Sequence, residues 1–333
     1  MADLAARGAL TVAPPAPRFA TYAWGVLAFT VVVILLGAYV RASGSGAGCG
    51  AHWPLCNGVV LPRDPTIQTL IEFSHRLTSG LAVLMLVGLV IGAWRTTPAG
   101  HVVRGAAVAS AVFMATEAAI GAGLVLLQYV ADDTRVARGW WVAGHLVNTF
   151  LLVAALTLTA WWASGGAPPH LRARPRLTAL LAAALFGVLL LSTSGAVTAL
   201  GDTLFPVATL EEGKAMTFSD SAHLFVRLRI YHPLLAFAVG ALVAVAALAA
   251  ARYQPTAVTR RLAAAVIGLW LAQLLLGALN VYLLAPISLQ IAHLLLSDLI
   301  WIALVVLSAA ALSQGRIQDS RYRIQESRLE PVS

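Results

Sequence analysis

Four of the eight histidines stand where a polar side chain is costly. His75, His145, His232 and His293 each lie inside a long apolar run, and an ionisable residue inside a membrane-spanning run marks function by default. Each sits roughly four to seven residues from the N-terminal end of its run, which is about 6–10 Å deep in a helix. A single buried histidine can simply bond a neighbouring helix. Four at one depth, two in each half of the chain, instead form two pairs of imidazoles. Bis-histidine ligation of heme iron needs this pattern: two neutral nitrogens on opposite faces of a flat macrocycle in an apolar cavity. Zinc would want about four close N or S donors in a tetrahedron, which neither half offers at that depth. The remaining histidines, His52, His101, His170 and His223, fall between the runs and read as solvated polar residues.

Other chemistry-bearing residues cluster near these four. Glu72 precedes His75 by three positions, so a helix places both on one face. A buried carboxyl there could act as general base, proton relay or cation stabiliser; the alternative is a plain ion pair with Arg76 one turn on. Arg76, Arg227 and Arg229 lie at run ends within a turn of a histidine, where they either meet heme propionates or snorkel to water. Glu117 and Asp298 lie within runs, and each reads equally as an interhelix hydrogen-bonding group or a functional one. The only cysteines, Cys49 and Cys56, share one loop. A structural staple, a redox-active pair, and metal binding with His52 all remain open for them.

Long helices must position these residues. Of 333 residues, 59% are hydrophobic and only 11% charged, against about 25% charged in a soluble domain. An ordinary cytosolic enzyme and a disordered chain are both excluded. Eight segments are long and apolar enough to cross a bilayer: 21–40, 70–94, 103–127, 140–162, 178–200, 228–250, 261–284 and 287–312. Solid runs such as Leu180–Leu191 exclude the alternating strands of a β-barrel. The fold expected is an all-α membrane protein. Glu72-Phe73-Ser74-His75 matches Arg229-Ile230-Tyr231-His232, Glu117 to Gly121 matches Gln273 to Gly277, and Gly144-His145-Leu146 matches Ala292-His293-Leu294. The eight helices therefore read as two parallel-repeat four-helix bundles. The halves differ chemically, since the acid at Glu72 is replaced by the cation Arg229.

The organisation expected is a short cytoplasmic leader at 1–20, a first bundle at 21–162, a cytoplasmic linker at 163–177, a second bundle at 178–312 and a polar cytoplasmic tail at 313–333. Arginine concentrates in the termini and the linker side, and acids in the opposite loops. That asymmetry places both termini in the cytoplasm. The net charge of +8 is thus a topology signal and no sign of nucleic acid. The tail repeats Arg-Ile-Gln-acid-Ser-Arg at 316–321 and 323–328, a solvated segment or a docking element.

The stretch from Gly37-Ala38-Tyr39-Val40-Arg41 through Trp53-Pro54-Leu55-Cys56-Asn57-Gly58 to Ile71-Glu72-Phe73-Ser74-His75-Arg76 resembles the heme A synthase family, and Gly144-His145, Tyr231-His232 and Ala292-His293 fit its remaining histidines. The resemblance covers about residues 20–312. It implies a bacterial inner-membrane oxidoreductase for terminal oxidase assembly. Such an enzyme oxidises the C8 methyl of heme O to a formyl group through an alcohol and a gem-diol. By the same resemblance, the substrate heme O sits on His75 and His145, and a heme b cofactor on His232 and His293. Glu72 matches the family's catalytic carboxylate, and Cys49 and Cys56 match its outer-loop disulfide pair. Implied partners are the lipid membrane, the enzyme that makes heme O, an electron acceptor of unknown identity, and a second copy of the chain.

Two rivals stand beside this reading. A quinol-linked diheme b-type electron carrier would share the histidines without turning over a heme. In the usual arrangement two helices carry two histidines each, with the hemes stacked; here each helix supplies one, at one depth. A two-repeat transporter would account for Glu117 and Asp298 but leave the four histidines unexplained.

Overall fold

Helices make up most of the described chain. The computed structural model describes residues 17–313, so the expected leader and repeat-bearing tail lie largely outside them. Eight helices are long and apolar enough to span a bilayer: α1 Pro17–Ala42, α2 Ile67–Thr96, α3 Val102–Leu126, α4 Val136–Ala163, α5 Pro175–Leu204, α6 Leu224–Tyr253, α7 Ala257–Tyr282 and α8 Ile287–Leu312. Among the described residues there is no strand beyond two isolated bridges, Cys56 to Val59 and Pro169 to Ser313. Large apolar side chains such as Leu84, Phe186 and Leu275 face outward, as lipid permits and water does not.

Most helices run a few residues past their apolar cores, because capping chemistry extends them into polar sequence. Thr66 caps α2 by accepting from the Thr69 amide at 3.2 Å. Thr256 and Thr259 form a reciprocal box at the start of α7. Pro175 opens α5 and Pro286 caps α8, positions where a missing amide costs nothing. These signals are invisible to hydropathy, which sees only the apolar centre. α2, α5 and α6 each cover 30 residues, about 45 Å for an unbroken helix, so their ends project past roughly 30 Å of hydrocarbon.

One span is irregular. α6 is helical over Leu224–Arg227, tightens into a 3₁₀ turn over Leu228–Ile230, and resumes at Tyr231. Pro233 lies just inside the resumed helix and has no amide to donate to the carbonyl of Arg229, which explains the break. His232 sits at this break.

Neighbour relations define two closed rings. α1 packs on α2, α2 on α3, α3 on α4 and α4 back on α1; α5, α6, α7 and α8 close in the same order. The rings meet where α1 and α4 face α5 and α8. There Trp301 Nε1 donates to the Phe150 carbonyl at 2.7 Å. Arg41 donates to Ala199 O at 2.8 Å and to Gln290 Oε1 at 3.0 Å, tying the end of α1 to α5 and α8. Gly139 of α4 receives the Phe225 ring. Small residues admitting large neighbours are the usual means of close packing where lipid supplies no hydrophobic drive.

Candidate functional site

Each of the four histidines faces a glycine on the preceding helix. A Cβ at Gly37 of α1 would stand 2.9 Å from His75 Cε1, and one at Gly195 of α5 2.8 Å from His232 Cε1. At Gly277 of α7 the distance to His293 Cε1 is 3.1 Å, and at Gly121 of α3 to His145 Cε1 3.8 Å. Even-numbered helices thus carry the imidazoles and odd-numbered helices make room for them. Sequence reasoning matched Gly121 with Gly277, named Gly37 only as part of the family-like stretch, and passed over Gly195. The signal for Gly37 and Gly195 was an interval nearly equal to that between His75 and His232.

The second ring brings its two histidines together. The His232 and His293 ring centres are 6.4 Å apart with planes at 72°. Two metal–imidazole bonds of about 2 Å, each with about 1 Å more to the ring centre, span about 6 Å. The pair therefore fits a single shared metal. Among the described residues, no group of three or more His, Cys, Asp or Glu could hold a metal ion. A metal bound here needs its other ligands from elsewhere, and a macrocycle supplies four. Nδ1 of His75 and of His293 is buried without a hydrogen-bond partner among the described residues. Heme therefore fits the donors present, on an observed separation in the second ring and on the same glycine–histidine packing in the first.

The groups orienting these rings differ between the halves. Ser194 Oγ lies 2.9 Å from His232 Nδ1, and Gln273 Nε2 donates to the His293 carbonyl at 3.0 Å. In the first half Glu117 is an acid at the place matched by Gln273. Its Oε1 lies 3.4 Å from His145 Nδ1. Asn148 Nδ2 donates to its Oε2 at 2.6 Å, and the Thr149 hydroxyl donates to Oε1. Asp298, also flagged from sequence, is fully buried with neither oxygen bonded.

Glu72 belongs to the disulfide loop as much as to its helix. It is buried, and its Oε2 accepts from the Cys49 amide at 2.8 Å. Its Oε1 accepts from Arg76 Nη2 at 2.5 Å and Nε at 3.1 Å. Arg76 Nη1 then reaches the carbonyls of His52 and Leu55 at 2.6 and 2.7 Å. The ion pair weighed as an alternative for Glu72 is present, and it clamps the loop to α2. Cys49 and Cys56 are bonded at 2.01 Å and both are buried, which leaves no thiolate to join His52 in holding a metal. Of the other expected propionate partners, Arg229 Nε lies 2.9 Å from Asp202 Oδ1, and its Nη2 donates to the Gly201 and Phe205 carbonyls. Arg227 is exposed.

Comparison with known proteins adds an independent line. A family model described as COX15-CtaA, cytochrome oxidase assembly protein, matches residues 20–305. A Thermus thermophilus protein named protoheme IX farnesyltransferase is 50% identical over 302 residues, which is 91% of this chain and 50% of that protein. Proteins named heme A synthase from Alkalihalophilus pseudofirmus and Halalkalibacterium halodurans are 42% and 43% identical over 96 residues, 29% of this chain and 32% of each relative. The chain spans about half the length of the Thermus relative, and the heme A synthases match it over about a third of theirs.

Proposed function

Because the chain belongs to the COX15-CtaA family of cytochrome oxidase assembly proteins, we propose that it is a membrane oxidoreductase of heme A formation, converting the C8 methyl of heme O to a formyl group. The observation that carries this reading is the two histidine pairs, one of them at a separation that suits a shared iron. In the proposal residues 21–162 form the substrate bundle, with heme O on His75 and His145. Residues 178–312 form the cofactor bundle, with heme b on His232 and His293. The two rings are a parallel repeat, 163–177 is their cytoplasmic linker, and both termini are cytoplasmic in a bacterial inner membrane. The enzyme making heme O, an electron acceptor and a second copy of the chain are proposed partners.

The chain's own residues have separable tasks. The imidazoles bind, and the facing glycines let them seat against the neighbouring helix. The apolar walls exclude bulk water. Bound heme b supplies one-electron transfer. Oxidising a methyl to a formyl group takes up one water and releases protons and electrons, so a base near the outer end of the substrate bundle is required. Glu72 is assigned that role, with the Cys49 amide and Arg76 fixing its oxygens. The disulfide staples the loop that carries the Cys49 amide. Arg76 and Arg229 remain candidate propionate partners only by exchanging their present carboxylates, and Arg227 has no carboxylate partner among the described residues.

Farnesyl transfer, the activity named for the Thermus relative, is not a redox reaction and gives irons held by paired histidines no task, and the match covers half of that protein, which favours the first reading. A diheme electron carrier shares the histidines and differs in lacking turnover. The test is the pigment. Protein from heme-replete cells should show a low-spin bis-histidine spectrum, with one heme lost in His75→Ala and the other in His232→Ala. A colourless wild-type preparation would sink the proposal.

A further inference from the structure

The helices that face His145 and His293 share one spacing and differ in the side chain one turn before the glycine. On α3, Glu117 and Gly121 are one turn apart and both address His145: the carboxylate lies at Nδ1, and Gly121 leaves space at Cε1 and Nε2. On α7, Gln273 and Gly277 repeat the spacing against the His293 helix. There the amide bonds a backbone carbonyl, and His293 Nδ1 has no partner.

We propose that Glu117 is a positioning residue for His145, accepting the Nδ1–H so that Nε2 faces the iron and the imidazole becomes the stronger donor of the two halves. This rests on the heme reading above. His145 Nδ1 is buried with no formed hydrogen bond, and the Glu117 carboxylate at 3.4 Å is poised a few tenths of an ångström beyond one. The carboxylate is held in place rather than swinging. Asn148 and Thr149 bond its two oxygens. Asn148 is itself fixed by Thr116 Oγ1 at 2.6 Å and the Phe113 carbonyl at 2.8 Å. A carboxylate behind a ligating histidine sets its tautomer and raises its basicity. A more basic axial ligand favours the oxidised iron and lowers its reduction potential. In the second half a neutral hydroxyl, Ser194, stands at His232, and His293 Nδ1 has no hydrogen-bond partner among the described residues. The first heme is therefore the lower-potential one, and electrons taken from it run toward the second.

The test is a redox titration of the purified heme-loaded protein, followed in the visible band and by low-temperature electron paramagnetic resonance. Glu117→Gln should raise the midpoint of the heme that His145→Ala loses, shift its low-spin signal, and leave the other heme unchanged. Ser194→Ala should move only the other heme. Thr149→Val, which removes the donor sharing Oε1 with His145 Nδ1 but keeps the carboxylate, should shift the midpoint of the first heme by less than Glu117→Gln does. Two bound hemes with unchanged midpoints and signals in Glu117→Gln would overturn the assignment and leave the heme reading intact. If Glu117→Gln does not accumulate, an unmoved Thr149→Val overturns it equally. A wild type that binds no heme overturns both.

Discussion

At the scale of single residues, the glycines facing the histidines make the sharpest predictions. Gly195→Ala places a methyl 2.8 Å from His232 Cε1, and overpacking of this kind costs about 1–3 kcal/mol. The variant should accumulate but lose most of the low-spin heme signal of the second half. Gly25→Ala, with nothing within 4 Å of its new Cβ, should keep it. Equal heme content in both variants would show that the cradle is incidental. Glu72→Gln should retain heme and lower formyl formation by about 100-fold or more, the usual range for a lost acid–base group; full turnover would remove Glu72 from the chemistry. The histidines and Glu72 were legible in the sequence because a polar group in an apolar run is conspicuous. The packing of Gly37 and Gly195 against the histidines was not, because an apolar run hides what a glycine faces. The pairing of Glu117 with His145 was hidden for another reason: it depends on the packing register of α3 against α4, which hydropathy does not encode.

At the scale of elements, the caps and the loop staple can be tested one by one. His101 lies between α2 and α3, and its Nδ1 accepts from the Val103 amide at 3.3 Å. Burial, with the Arg104 guanidinium adding to it, holds His101 below its ordinary value of 6.5. A histidine depressed in the folded state contributes its stability above its unfolded value and loses it as pH falls. Thermal unfolding in detergent should therefore weaken from about pH 6.5 downward, and His101→Asn, a cap that does not titrate, should flatten part of that slope. An identical slope in the variant would dismiss the cap. Cys49→Ser with Cys56→Ser removes a short loop closure worth about 2–3 kcal/mol and loosens the amide that holds Glu72. Its unfolding midpoint should drop; an unchanged midpoint would contradict a structural staple. The eight spans were legible from length and hydropathy alone. Their ends were not, because threonine, histidine and proline caps lie in polar sequence. The break at Leu228–Ile230 follows from Pro233, a residue that span counting passed over.

At the scale of the whole molecule, two rings of four helices meet along α1, α4, α5 and α8. That the two rings are a parallel repeat rests on the faint sequence match between the halves and belongs to the proposal. The contacts joining the rings were not legible, since Arg41 reaches Ala199 and Gln290 from far away in the chain. In the proposed function one ring holds a heme that is changed and the other a heme that is kept. Acid extraction and mass analysis of hemes from protein made in cells supplied with heme O tests this most directly. The account predicts heme b together with heme O, its alcohol or its formyl product in wild type. In Glu72→Gln it predicts heme b with unconverted heme O. Heme b alone, with added heme O neither bound nor converted, would contradict it.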